Sequence, residues 1–307
     1  MRIAVPDLIS NSYFPAVAAV ELGFFKAEGL DAELQLIFPV PKTMEMLRDN
    51  ELDFVAGAAH ATLQAFPNWK GAKLLAALAQ NTYWMLVLRS DLNAKLGDTE
   101  VVKGLRIGAA PGPDSTIRQL LTEAGIDLEK DGVDVGPVPG STGAGVSFGV
   151  NAAQALEDGI IDGFWANAMG SEVAVRKGLG TVVLDARRGI CPPAAVHYTF
   201  PALVTTDEMI EKDPEGVRAA VRAIVNVQKA LKEDPSRATA VGERLFPPME
   251  ASMIAELIER DLPFYDPAIS EDAVSGMNRF AKDIGLLTED VNYDQVVATQ
   301  FSGLWTE

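Results

Sequence analysis

Two stretches far apart in the chain are written on one pattern. Arg106 to Gly125, RIGAAPGPDSTIRQLLTEAG, opens on a short apolar strand from Arg106 to Ala110 and passes through a Gly/Pro loop. The loop delivers Asp114, Ser115 and Thr116 to a helix whose apolar face is Ile117, Leu120, Leu121 and Ala124, and Gly125 stops that helix. Arg2 to Asp31 repeats the plan: apolar strand, polar loop, Ala/Val-rich helix, and a close on Glu28-Gly29-Leu30-Asp31 that matches Ala124-Gly125-Ile126-Asp127. A second pair, RDNELDFVAGAAHATLQA from Arg48 to Ala65 and EDGIIDGFWANAMGSEVA from Glu157 to Ala174, aligns helix end, turn, Leu52-Asp53 or Ile161-Asp162, strand, small residues and next helix. The similar spacing of the two pairs restricts the chain to two α/β lobes of one design, and a bilobed chain has a cleft.

Open α/β sheets bind ligands at the carboxyl ends of their strands, where the loops lead into helix starts. The first turn of a helix carries backbone N–H groups without intrahelical partners, so Ser115 and Thr116 sit where an anionic or strongly polar group can be held, although an ordinary N-cap explains them too. By the same placement the first lobe offers Asn11 and Tyr13 in the loop that ends at Pro15, and His60 after the small residues Gly57-Ala58-Ala59. Lone histidines are commonly structural, and Lys42, at a helix start where a cation is disfavoured, reads as a solvated lysine. In the second lobe Trp165, Asn167 and Met169 occupy a strand end and the loop beyond it. Met169 is the repeat partner of His60, and Trp165 serves equally well as plain core.

The loop Gly140 to Asn151, GSTGAGVSFGVN, contains the pentapeptide Gly145-Val146-Ser147-Phe148-Gly149 with His197 downstream, the literal form of a hydrolase nucleophile elbow. An elbow needs a strand leading directly into its serine, whereas Pro137, Pro139 and a glycine-rich run precede this one. The loop also fails as a dinucleotide fingerprint, because Phe148 stands where a third glycine is required. A cover over the cleft, with Ser141 and Thr142 as donors and Asn151 capping the next helix, is the better reading.

The 307 residues are 48% hydrophobic, enough for two ordinary cores, and no apolar run approaches the ~20 residues of a membrane span. Twenty-six basic against 43 acidic residues give a net charge of −17, which argues against nucleic acid or an anionic membrane as partner. Cys191 is the only cysteine, which excludes an intrachain disulfide and a cysteine-based zinc cluster, and two histidines leave little scope for a histidine metal centre; no cofactor and no disulfide-linked partner are expected either. From Asp207 onward the chain is helical, with Val217, Ala220, Val221, Ile224 and Val227 or Gln228 on one face of Val217 to Leu231, and it carries no assigned chemistry.

Four stretches resemble the substrate-binding proteins of ABC importers, in the branch that serves sulfonates, nitrate, taurine and thiamine-type pyrimidines. They are Gly23-Phe24-Phe25-Lys26-Ala27-Glu28-Gly29-Leu30; Val102-Lys103-Gly104-Leu105-Arg106-Ile107-Gly108; Ala155 to Gly163; and Leu203 to Lys229, a return strand followed by a long amphipathic helix. Together they span nearly the whole chain. The resemblance implies a two-lobed type II periplasmic-binding-protein-like α/β fold with two crossover segments, near Tyr83 to Arg89 and Arg187 to Phe200. Lobe I takes residues 1–88 and 200–307, and lobe II takes residues 89–199. It also implies a ligand site made of Asn11, Tyr13, Phe38, His60, Trp84, Ser115, Thr116, Ser141, Trp165, Asn167, Met169 and Tyr198.

The expected function is capture of a small organic ligand, namely an organic acid, a sulfonate or a pyrimidine-like heterocycle, by a monomer that hands it to an ABC permease. No arginine falls in the expected cleft loops, which favours an organic acid or heterocycle over a doubly charged oxyanion. Met1-Arg2 runs straight into the first strand without an export leader. The resemblance leads to the periplasm as the expected compartment, and this departure from the family's leader makes the cytoplasm, with a role as ligand sensor, the alternative. A second alternative is the cytoplasmic thiamine-pyrimidine synthase of the same fold branch, which resembles this chain at His60. It needs a nearby lysine and a cysteine-rich run, and no lysine lies between Arg48 and Lys70.

Overall fold

The computed structural model describes residues 1–139 and 147–306. Ser141 and Thr142, with most of the Gly/Ser loop expected to act as a cover, lie outside the described residues. The chain divides into two compact units, Met1–Gln80 with His197–Glu307 and Asn81–Val196. It therefore passes between them twice.

The strands among the described residues are β1 (Arg2–Val5), β2 (Glu33–Leu36), β3 (Phe54–Ala58), β4 (Ala72–Ala77), β5 (Met85–Arg89), β6 (Arg106–Ala109), β7 (Asp134–Gly136), β8 (Gly163–Ala166), β9 (Gly180–Asp185) and β10 (Pro201–Thr206). The first unit holds a five-stranded sheet in the order β2-β1-β3-β10-β4, and the second holds one in the order β7-β6-β8-β5-β9. In each, four of the five strands run in one direction, and the fourth in the order lies antiparallel between its two neighbours. The reversed strand is in both cases the one that follows a passage between units, β5 after the first and β10 after the second.

The repeat seen in the sequence becomes a repeat of atoms. The Asp53 carboxylate accepts from the backbone N–H and the guanidinium of Arg2, at 2.7 and 2.9 Å, and the second Arg2 nitrogen bond goes to Asn50 O at 3.0 Å. In the other unit Asp162 accepts from the backbone N–H and Nε of Arg106 at 2.9 and 3.2 Å, while Arg106 donates to Gly159 O at 3.1 Å. Each clamp ties the start of β1 or β6 to the turn before the neighbouring strand, β3 or β8. Burial works to raise the two carboxyl pKa values, and the arginine hydrogen bonds and charge outweigh it, so both lie below the ordinary carboxylate value. The turns match as well. Asn50 and Gly159 adopt left-handed backbone at φ 58° and 69°, and Gly29 and Gly125 end their helices at φ 82° and 88°.

The helix expected to be capped by Asn151 begins earlier, as Phe148–Glu157 with Ser147 in extended backbone ahead of it. Close packing explains the longer helix. A Cβ on Gly170, in the helix Ala168–Arg176, would lie 2.5 Å from Gly149 Cα, so the two helices meet backbone to backbone and the first must already be formed at Gly149. Ser147 thus stands in extended backbone directly ahead of this helix, while Gly145 and Val146 of the pentapeptide lie outside the described residues.

The carboxyl-terminal helices belong to the first unit. Pro214–Glu233 starts from Asp213, whose side chain accepts from Gly216 N at 2.9 Å. It buries Val217, Ala220, Val221, Ile224, Val227 and Leu231, and also Gln228, whose Nε2 satisfies Ala77 O and Leu78 O at 2.9 and 2.8 Å beyond the end of β4. The tail closes on the same strand, with Trp305 Nε1 donating to Leu75 O at 3.0 Å.

Candidate functional site

The expected ligand residues of the first unit gather at one edge of its sheet. Asn11 and Tyr13 follow β1, Phe38 follows β2, and His60 lies in the short turn Ala59–Ala61 directly after β3. Because β10 is antiparallel and pairs Pro201 with Ala58, Tyr198 enters the sheet at this same carboxyl edge. Asn11, Tyr13, His60 and Tyr198 are buried, and Phe38 is half-buried. Phe280, from the helix Glu271–Asp283, joins two of them. It stacks on Tyr198 with ring centroids 4.4 Å apart and meets the His60 ring edge-on at 5.5 Å. Asn11 is held from the carboxyl-terminal region: its Nδ2 donates to Asp261, and its backbone carbonyl accepts from Tyr265 Oη at 2.6 Å.

Asp261 and Tyr265 were not among the residues drawn from the sequence. Asp261 is 1% exposed and is the last residue of the helix Pro248–Asp261. An acid at a helix carboxyl end opposes the helix dipole, and that mismatch is the signal that marks it.

In the second unit, Ser115 and Thr116 stand in the first turn of Pro113–Glu123 after β6, Trp165 lies in β8, and Asn167 and Met169 begin the helix after β8. Trp84 precedes β5, whose first residue Met85 pairs with Ala166, the last residue of β8, so it shares that carboxyl edge. Trp165 is fully buried and donates from Nε1 to Thr116 Oγ1 at 2.9 Å, and its ring lies 6.3 Å from that of Trp84. Trp84 in turn packs on Tyr83 at 4.3 Å.

The polar groups of this cluster are largely committed. Thr116 Oγ1 donates to Pro113 O at 2.6 Å, Ser115 Oγ donates to Gly112 O at 2.7 Å, and Asn167 Oδ1 caps its helix by accepting from Met169 N at 3.0 Å. Asp114 accepts from Gly112 N at 2.9 Å and places a carboxylate at the helix start. Anion binding by that helix terminus is correspondingly weakened.

One inference from the sequence is corrected at this edge. Asp185, the end of β9, pairs with Met85, so the following loop carries Arg187 to the carboxyl edge of the sheet. Arg187 is 2% exposed, with its guanidinium carbon 5.8 Å from the centroid of the Tyr83 ring. An arginine therefore does stand among the edge loops of this unit. The sequence hid it because the register of β9 on β5 is not written in local pattern. Cys191, beyond it, is pushed up to about 11 by burial, with Asp185 and Glu123 adding to the effect. Such a thiol is protonated at neutral pH and is a poor nucleophile.

A family model, the NMT1-like family, matches residues 9–245 of the chain. The chain belongs to the NMT1-like family. No curated protein sequence matches it. Among solved structures, this NMT1-like protein is similar to the alkanesulfonate-binding protein SsuA from Xanthomonas axonopodis pv. citri bound to MOPS, with a TM-score of 0.69 and 12% identity over 98% of this chain and 96% of that one. It is also similar to the periplasmic nitrate-binding protein NrtA from Synechocystis PCC 6803, with a TM-score of 0.70 and 15% identity over 99% and 86% of the two chains. The desulfurization enzyme DSZB shares the fold as well, with a TM-score of 0.63 and 17% identity over 98% and 97%. The NMT1-like chain thus has the α/β fold of the periplasmic binding proteins, as its sequence led us to expect.

Proposed function

We propose that this NMT1-like protein is a solute-binding protein that captures a small organic ligand outside the cytoplasmic membrane and passes it to an ABC permease. What supports the reading is that each unit gathers aromatic and polar side chains at the carboxyl edge of its sheet: Asn11, Tyr13, His60 and Tyr198 in one, and Trp84, Trp165 and Arg187 in the other. Rings with few free donors favour a planar or partly apolar body. Arg187 favours a single acidic group on that body, such as a carboxylate or sulfonate.

The enzyme DSZB has the same fold, so fold alone does not separate capture from catalysis. The protonated thiol of Cys191 weighs toward capture.

Native mass spectrometry of the purified protein tests the proposal, because a tightly held solute survives purification and adds its mass. A thermal-shift series with aromatic and aliphatic carboxylates, sulfonates and pyrimidines then ranks the classes. Ligand at a hundred times its Kd adds about 2.7 kcal/mol of stability. Turnover of any of these compounds would replace capture by an enzymatic reading.

A further inference from the structure

A cavity within the first unit lies away from the strand ends. It measures about 470 Å³ and runs along one face of the helix Glu271–Asp283, through Val274, Ser275, Asn278, Arg279 and Lys282, with the returning segment 287–293 opposite. Val274, Leu287 and Tyr293 give its lining an apolar part, and the carboxylates of Glu271 and Asp290 stand on the lining as well.

Two features distinguish it from an ordinary surface groove. Asn278 is only 8% exposed, and its Oδ1 accepts from Trp69 Nε1 at 3.1 Å. An indole nitrogen only donates, so the carboxamide orientation is fixed and its NH2 end, which has no acceptor among the described residues, is left to the cavity. The neighbouring Arg279 also lines the cavity, and no carboxylate or carbonyl pairs with it among the described residues. Lys282, by contrast, is neutralised by Asp290.

We propose that this cavity is a second ligand site, separate from the carboxyl-edge residues, which binds a small aliphatic monocarboxylate. Its carboxylate takes the guanidinium of Arg279 and the N–H donors of Asn278, and its chain lies on Val274 and Leu287. The site does not depend on the function proposed above, since none of its residues belongs to either edge cluster.

The test uses the whole protein labelled with nitrogen-15 and sodium butyrate as the probe, with sodium chloride at matched ionic strength as the control. The four tryptophan indole N–H signals report on different places. Butyrate at Asn278 polarises the amide that holds Trp69, so the Trp69 signal is expected to move saturably, with half-saturation in the millimolar range, while those of Trp84 and Trp165 stay still. Arg279→Gln, an exposed substitution that leaves the core intact, is expected to weaken the response about tenfold or more. A Trp69 response that chloride reproduces, that survives Arg279→Gln unchanged, or that never saturates overturns the proposal. So does a response confined to Trp84 and Trp165, which would instead place butyrate at the carboxyl edge.

Discussion

Replacing Asp53 and Asp162 by asparagine, singly and together, tests whether the duplicated clamp contributes to stability in both units. Each carboxylate accepts a backbone N–H and an arginine N–H, and its side chain retains 24% or 18% of its solvent access. Hydrogen bonds to a charged group contribute about 1.5–3 kcal/mol, against about 0.5–1.5 for a neutral one. The charge-dependent part of each clamp, reduced for its partial contact with water, is therefore about 1 kcal/mol. Asp53→Asn is expected to lower the protection of amides in β1 and β3, and Asp162→Asn that of β6 and β8, each by about fivefold in hydrogen exchange at neutral pH.

The pH dependence fixes the cause. Both carboxyl pKa values are depressed in the folded chain, so the stabilisation is complete above the unfolded carboxylate value and is lost as pH falls through the folded one. The gap between wild type and variant should hold from neutral pH down to about pH 4 and close below it, where the wild-type carboxyls are protonated too. A gap that persists unchanged into the acid range would show that asparagine disturbs packing rather than charge. No gap at neutral pH would refute the clamp altogether.

Thr116→Val keeps the shape of the side chain but strands the buried indole N–H of Trp165, and should cost about 1–3 kcal/mol in urea unfolding of the second unit, read by tryptophan emission. Gly170→Ala forces apart two helices that touch at Gly149 backbone, and should cost about 1–3 kcal/mol or more by the same measurement, with Val175→Ala as a near-neutral comparison at an exposed position of the same helix. Cys191 should resist alkylation in the folded protein at neutral pH and react progressively as pH rises toward about 11, whereas the urea-unfolded chain should react at the ordinary cysteine pKa; equal rates in the two states would contradict the buried, protonated thiol.

The two-unit design was legible because a duplication writes the same local chemistry twice. The pairs Arg2 with Arg106 and Asp53 with Asp162 recur at the same steps of the pattern, and both pairs form the same clamp. Helix starts at proline and stops at Gly29 and Gly125 are local signals, and they hold in the fold. What the sequence could not show depends on contacts between distant segments. The start of the helix at Phe148 is decided by Gly170, and the place of Arg187 at the sheet edge is decided by β9 pairing with β5. Phe280 and Asp261 reach the edge of the first unit from helices that read as amphipathic packing and nothing more.

The same distinction separates positions from roles at the candidate site. Sequence pattern placed Ser115, Thr116 and Asn167 at a strand end and helix start, and they are there, but their hydrogen bonds turn inward. Thr116 orients Trp165, Asn167 starts its helix, and Ser115 closes a turn on Gly112. A side chain that spends its donor on the scaffold fixes the geometry of its neighbours instead of choosing a ligand. At this edge the surfaces held in place are the rings of Trp84 and Trp165, and the charge held among them is Arg187 over Tyr83. Under the proposed capture function, the discrimination in this unit therefore falls to the aromatic planes and the guanidinium rather than to the helix terminus, which is the ground on which an organic acid is proposed.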